Sequence, residues 1–494
     1  MYSFIGGIIL LFLGYYFYSK VIIKNFGVEP KRQTPAYVLE DGSDFIPMSK
    51  NKNWLIQLLN IAGTGPIFGP IMGALYGPVA FIWIVVGNIF AGAVHDYYLG
   101  MISLRNNWAH LPELSGKYLG KSMKHVVNLF TALLLLLVGT VFVTSPASLL
   151  EEVTNGFLSR WGWVIVIFIY YFLSTVLPID KVIGRIYPVF GAVLLLACAG
   201  VGITLFTSGN IVNVPELSLQ NMHPDNVPII PGLFFTISCG ALSGFHATQS
   251  PIISRTVEKE GQGRFVFYGA MIAEGIIAMI WAAAAMALFD GQTLSQIIAE
   301  GTASAAVSEI SLMLLGSVGG TIAILGVIVL PITSGDTAFR SLRMVIADYL
   351  KIDQKAYSKR FVIAIPIFAI SGALMFIDFN LLWRYFNWAN QATAVIALFV
   401  SSAYLFLKKR NYFVTLVPGV FMLYMVILYL LTEQIGFGLD MHLSYYISVV
   451  LVGIILVAFA HQMKKMSESI TSDSDLLNDQ KDIADLYPEL MTHK

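Results

Sequence analysis

Among the ionisable side chains that fall within long apolar stretches of this 494-residue chain, where a charge needs a reason, five could carry chemistry. Glu274, in GAMIAEGIIAM, lies about nine residues into its run, which at about 1.5 Å per residue sets it near the middle of a bilayer. A carboxylate at that depth costs about 2.5 to 3.5 kcal/mol on insertion scales and requires a partner, a proton or a wet cavity. Its functional reading is a site that takes a proton from one side of a membrane and releases it to the other. The plainer reading is a structural acid bonded to a neighbouring helix. His95 and Asp96, in AGAVHDYY, fall toward the cytoplasmic end of their run. They could form an inner gate or a proton exit, or an ion pair anchored to the adjacent basic loop. His246 follows a glycine break by two residues, and a histidine in a wet site titrates near neutral pH; a packed, satisfied histidine is the alternative. Asp336 could neutralise a bound cation, or replace it by holding a proton.

A second group of residues offers oxygen rather than charge. Thr333 and Ser334, in LPITSGDTAF, can turn two adjacent hydroxyls toward one hard cation. Oxygen-only ligation suits sodium, and unwound backbone carbonyls near Ala62 and Gly63 could complete the shell; otherwise the hydroxyls simply bond back to the preceding turn. Both cysteines, Cys198 and Cys239, fall inside apolar runs without companions for metal ligation and read as small packing residues. HExxH, GxSxG, GxxxxGK[ST] and CxxC patterns do not occur, so an enzyme is not expected, nor any cofactor beyond a coupling ion, proton favoured and sodium possible. Zero formal net charge argues against a nucleic-acid partner.

Two glycine-rich interruptions would position these groups. Asn60 to Pro78 reads NIAGTGPIFGPIMGALYGP, and Ile237 to Pro251 reads ISCGALSGFHATQSP, each inside a run that hydropathy assigns to a membrane helix. Every backbone amide in lipid needs a partner, so such a helix breaks only where it faces protein or a water-filled cavity, and a midplane break marks a binding site. Substrate is expected between Gly63, Thr64, Gly65, Pro66 and Gly69 on one side and Gly240, Ser243 and Gly244 on the other, with His246 and Gln249 just beyond. A freed helix N-terminus suits a carboxylate. Val or Leu at Gly65 or Gly244 is expected to abolish binding while leaving expression intact. Gly73, Gly77, Gly87 and Gly92 are expected to let the second and third spans pack closely.

At 56% hydrophobic and 12% charged, the chain carries too many long apolar runs for a soluble core and reads as an all-α polytopic membrane protein. The runs number about thirteen: 2–18, 54–76, 79–103, 125–149, 161–178, 188–207, 230–250, 265–289, 309–339, 361–378, 381–407, 412–432 and 442–462. Without a basic leader or a small-residue cleavage site, Tyr2 to Tyr18 reads as a retained span. The loop after it and every second loop thereafter are basic, including Lys181 with Arg185 and Lys408 to Arg410, whereas Thr207 to Pro228 and Asp290 to Ser308 hold no Lys or Arg. The positive-inside rule then puts the N-terminus outside and the C-terminus in the cytoplasm. The interrupted runs lie five spans apart and run in opposite directions, as a five-plus-five inverted repeat predicts. Residues 1–20 would be an extra span, 54–207 and 230–407 the two repeats, 412–462 two further spans and 466–494 an acidic cytoplasmic tail. A channel is the main rival, but filters are usually built by symmetry or paired re-entrant loops. A membrane nutrient sensor is a second rival, and the tail of about thirty residues is short for a signalling domain.

The strings NIAGTGPIFGPIMGALYGPVAFIWIVVGNIFAGAVHDYYLGMISLR, LPELSGKYLG from Leu111, SGFHATQSP, ITSGDTAFRSLR and FNLLWRYFNWANQ from Phe379 resemble the carbon starvation protein A family. The resemblance covers Ile5 to about Leu407. It implies a bacterial cell-membrane nutrient importer for peptides or pyruvate, ion-coupled, with the leucine-transporter-type fold of the amino acid, polyamine and organocation superfamily. In that fold the third helix of the second repeat carries a Thr or Ser pair at a sodium site, which Thr333 and Ser334 resemble. The implied partners are a small carboxylate-bearing substrate and the lipid bilayer.

Overall fold

The computed structural model describes residues 1–40, 45–176, 179–352, 354 and 356–469; of the expected acidic tail, 470–494 lie outside the described residues. Its main helices are α1 (Tyr2–Phe26), α2 (Lys50–Ala62), α3 (Gly65–Gly73), α4 (Val79–Arg105), α5 (Lys121–Val153), α6 (Arg160–Val176) and α7 (Ile179–Thr207). They continue with α8 (His246–Ser254), α9 (Glu260–Leu288), α10 (Gly291–Leu350), α11 (Tyr357–Leu374), α12 (Phe379–Leu407), α13 (Phe413–Thr432) and α14 (Met441–Ser469).

Among the described residues eight helices are long and apolar enough to cross a membrane, and the bent pair α2 and α3 makes a ninth. The other four apolar runs are helical as well: α6, α7, α11 and the interrupted segment that ends in α8. The outward faces of the bundle are apolar. Leu129 on α5 is 71% exposed, Val318 on α10 74% and Val457 on α14 71%, stripes that suit contact with lipid rather than water. α10 departs from one continuous span, because Thr302 (φ +63°) and Gly316 (φ +68°) take left-handed backbone and divide its 60 residues into three pieces. Lys181 and Arg185, expected in a connection, lie within the bounds of α7.

The basic connections gather at one end of the bundle. There Asn25 Nδ2 donates to the Asn411 carbonyl at 2.8 Å, and Arg105 forks onto Glu260 at 2.8 and 2.9 Å while also reaching the Gly27 carbonyl. Both members of that pair are buried, so removing either partner is expected to cost about 3 to 5 kcal/mol. At the opposite end the N-terminal ammonium meets the Val214 carbonyl and Glu216, and the Met222 amide donates to the Tyr76 carbonyl. Of the two connections without Lys or Arg, the one over 207–228 lies here, and Gly291 of the other stands beside the Met222 carbonyl.

A buried histidine at the basic end gives a pH prediction. His110, between α4 and the short helix Leu111–Tyr118, accepts from Arg255 Nη2 at 3.2 Å; burial, with the Arg255 charge adding to it, lowers its pKa from 6.5 to about 3. The folded chain therefore keeps His110 neutral while the unfolded chain protonates it below its ordinary pKa. Stability should fall on acidification by up to about 1.4 kcal/mol per pH unit, from the unfolded pKa down to the folded one. Thermal melts should show His110→Gln losing that slope; an unchanged slope would assign it to other groups.

Candidate functional site

The first break follows from backbone that only glycine adopts cheaply. α2 stops at Ala62 because Gly63 takes φ +49° and ψ −152°, and a Cβ there would stand 2.7 Å from the Phe142 ring. The helix restarts at Gly65, with Pro66 in its first turn, at 49° to α2. The second break runs from Ile237 through Gly240 (φ +85°) to Phe245, and α8 restarts at His246.

Side chains from neighbouring helices satisfy the freed backbone. Trp83 Nε1 donates to the Ile237 carbonyl at 2.8 Å, and Asn88 Nδ2 donates to those of Gly240 (2.9 Å) and Met271 (2.7 Å). Asn390 Oδ1 accepts from the Phe245 amide at 2.7 Å and from Ser243 Oγ at 3.1 Å, and Gln391 Nε2 donates to the Phe234 carbonyl. These amides carry no titratable group, and their signal in the sequence is their place in apolar runs, VVGNIF and NWANQ.

The two breaks touch. A Cβ on Gly65 would lie 2.2 Å from Cys239 Sγ, one on Gly69 2.9 Å from the Thr236 carbonyl oxygen, and one on Gly73 2.3 Å from Ile237 Cδ1. The N-terminus of α3, expected to lie open to a carboxylate, is thus covered by Cys239, and substrate between the breaks requires them to part. Gly244 is tighter still, its Cβ position 2.0 Å from the Asn390 carbonyl oxygen. The expectation that bulk at Gly65 or Gly244 spares expression is corrected: both positions are packing contacts. Gly87 and Gly92 abut Ala241 and Gly77 abuts Met222, so these glycines serve chiefly contacts with the segment 222–241 rather than between the second and third spans. Around the breaks Gln57 Nε2 and Oε1, Asn60 Oδ1, Thr64 Oγ1, Gln249 Oε1 and Asn390 Nδ2 are buried without a hydrogen-bond partner. Each such group costs about 1 to 3 kcal/mol unless a ligand or water completes it.

The ionisable residues that the sequence scatters over three runs converge. Asp96 on α4 holds His95 Nδ1 at 2.8 Å and His246 Nδ1 at 3.0 Å, and His246 Nε2 faces Glu274 Oε2 of α9 at 3.6 Å. All four side chains are fully buried. His95 and Asp96 therefore do not pair with the basic loop; their partner is the first residue of α8. Cys239 Sγ, with ligand atoms of His246 and Glu274, fits within 4.8 Å, so this cysteine has the companions that the sequence did not reveal. Its thiol donates to Ser243 Oγ, and three atoms fall short of the four that a structural zinc takes. His95, Asp96 and His246 form a hydrogen-bonded cluster that Glu274 faces.

Thr333 and Ser334 reach the end of α2. Thr333 Oγ1 donates toward the Leu59 and Leu330 carbonyls at 3.2 and 2.9 Å, and Ser334 Oγ toward those of Leu59 and Asn60 at 3.2 and 3.1 Å. Leu59 to Ala62 are the carbonyls left open when α2 stops. The oxygens thus meet one turn earlier than Ala62 and Gly63, the expected positions. Asp336 is bound elsewhere: it accepts from Ser174 Oγ at 2.5 Å and Tyr170 at 3.2 Å of α6, with Arg340 at 4.0 Å. It ties α10 to α6 and is not placed to neutralise an ion beside Ser334.

Residues 1–161, 151–314 and 286–428 match the family model described as Carbon starvation protein CstA. The chain belongs to that family. An uncharacterized membrane protein of Haemophilus influenzae is 48% identical over 59% of this chain and 92% of its own length. The peptide transporter CstA of Campylobacter jejuni is 26% identical over 57% of this chain and 49% of its own length, and the pyruvate/proton symporter BtsT of Escherichia coli 28% over 58% and 49%. The CstA-family chain thus matches about half the length of these two named transporters.

Proposed function

We propose that this CstA-family chain is an ion-coupled secondary transporter that imports a small carboxylate-bearing nutrient, a peptide or pyruvate, by alternating access. One observation carries the reading: two interrupted helices meet inside the bundle over buried, unpartnered polar groups and beside a sealed acid and histidine cluster. The names of the relatives supply the substrate class. In this proposal thirteen spans form a five-plus-five inverted repeat in a bacterial cell membrane, with the N-terminus outside and the C-terminus cytoplasmic. Substrate enters between Gly63–Gly69 and Gly240–Gly244 once they separate, where Thr64, Pro66, Ser243 and Gln249 border it. The proton is the favoured coupling ion. Sodium is kept as a second reading on the Thr333 and Ser334 hydroxyls, which meet open carbonyls of α2.

Uptake of labelled pyruvate and labelled dipeptide into proteoliposomes under imposed proton or sodium gradients tests both. Under proton coupling, one of the two substrates accumulates with an inward proton gradient and no sodium. Under sodium coupling, uptake follows external sodium, and Ser334→Ala raises the sodium needed for half-maximal rate by about tenfold, a loss of about 1.4 kcal/mol in ion binding. Neither substrate accumulating under either gradient would remove the proposal.

A further inference from the structure

Resting on the transport reading above, we infer that Asp96, His246 and Glu274 form a single proton-binding unit, in which His246 stands as a fixed cation between two carboxylates and the carried proton resides on Glu274. The three side chains come from α4, α8 and α9, and none is exposed. Asp96 Oδ1 and Oδ2 lie 3.2 and 3.0 Å from His246 Nδ1, and Oδ1 lies 2.8 Å from His95 Nδ1. A carboxylate only accepts, so both Nδ1 atoms carry hydrogen. That leaves His246 Nε2 opposite Glu274 Oε2 at 3.6 Å, too long for an ordinary hydrogen bond.

Counting Asp96, His246 and Glu274, with Asp96 ionised, the unit has two relevant states. With one proton on His246 Nε2 and both carboxylates ionised, the unit carries a net single negative charge. A second proton, taken from water, leaves Asp96 charged, His246 charged and Glu274 neutral, so the unit carries no net charge. A buried net charge is far costlier than a neutral constellation. The sealed unit therefore holds the second proton, and water reaching Glu274 takes it back.

The position of His246 links this proton to movement. It is the first residue after the second break, so parting of the breaks shifts Nε2 against Glu274; closure by about 0.7 Å would make an ordinary hydrogen bond of about 2.9 Å. The other titratable groups facing the unit are His95 beside Asp96 and Cys239 beside His246. α3 contains no titratable residue, and those of α2 are Lys50 and Lys52 at its far end. On α10, Asp336 and Arg340 engage each other and α6.

Infrared difference spectra of the full chain in lipid vesicles, recorded as pH is stepped, test the unit directly. Acidification should produce a protonated-carboxyl band that is missing in Glu274→Gln. Its midpoint should move to lower pH in Asp96→Asn, which removes the negative charge that favours the second proton. It should move to higher pH in His246→Gln, which removes the positive charge that opposes it. A shift of about one pH unit or more, tenfold in proton affinity, is expected in each. Shifts in one common direction, or none, assign Asp96 and His246 a merely structural role and overturn the proposal, as does a band unchanged in Glu274→Gln. Should Asp96→Asn fail to fold, His246→Gln decides alone, because a midpoint that does not rise refutes the fixed cation. The readout needs no substrate. Opposite shifts without pyruvate or dipeptide uptake would sink the transport reading and leave the proton unit standing.

Discussion

Glu274→Gln is expected to exchange substrate across the membrane and to accumulate none. Glutamine keeps the size of the protonated acid and can sit opposite His246 Nε2, so the closed arrangement of the cluster survives. What it cannot do is release a proton on the inner side. In proteoliposomes loaded with unlabelled substrate, counterflow of label should persist. Under an inward gradient of one pH unit, worth about 1.4 kcal/mol, wild type can concentrate substrate about tenfold with one proton per turnover, and the variant should stop at equality. Accumulation at the full wild-type level in Glu274→Gln would take the proton away from this residue. Coupling would then rest with Thr333 and Ser334, whose hydroxyls face the open carbonyls of α2.

The sequence displays the breaks because glycine and proline in an apolar run are local signals, and Gly63, Gly240 and Pro66 stand where the backbone turns. Polar chemistry in apolar runs is equally local, which is why Glu274, His246 and Asp96 stand out one by one. Their meeting is not local. Asp96 and His246 are 150 residues apart, and no periodicity within either run says that one faces the other. Depth alone misleads for Asp96: counted from the run boundaries it falls near the basic loops, yet the turn of π-helix over Asn88–Gly92 precedes it and its side chain faces α8. Asp336 shows the same limit. Two positions beyond Ser334 on a helix of 3.6 residues per turn it faces away from its neighbour, toward Ser174 and Tyr170. The proposed repeat rests on two interrupted runs that lie five spans apart and are read as running in opposite directions, a pattern of order rather than of contacts.

Gly65→Ala is expected to lose most folded protein, and Cys239→Gly in the same chain to restore it. The added methyl would lie 2.2 Å from both Cβ and Sγ of Cys239, closer than any real contact, so one of the two interrupted segments must move. Overpacking of this kind typically costs about 1 to 3 kcal/mol, and here the displaced segment carries the backbone bonds from Asn88, Trp83 and Asn390 as well. Removing the Cys239 side chain leaves the new methyl 3.6 Å from Cys239 Cα, an ordinary contact. Gly244→Ala should behave differently. Its methyl would meet the Asn390 carbonyl oxygen at 2.0 Å and the Ala394 amide nitrogen at 2.4 Å, both backbone atoms, so trimming those two side chains cannot rescue it. Monodisperse yield and thermal midpoint of the single and double variants separate these outcomes, and the coupling energy of the double-mutant cycle measures the contact itself. A Gly65→Ala chain that is as stable as wild type would mean that the two breaks do not touch in the resting protein, and the closed arrangement would have to be assigned to another stage of the cycle.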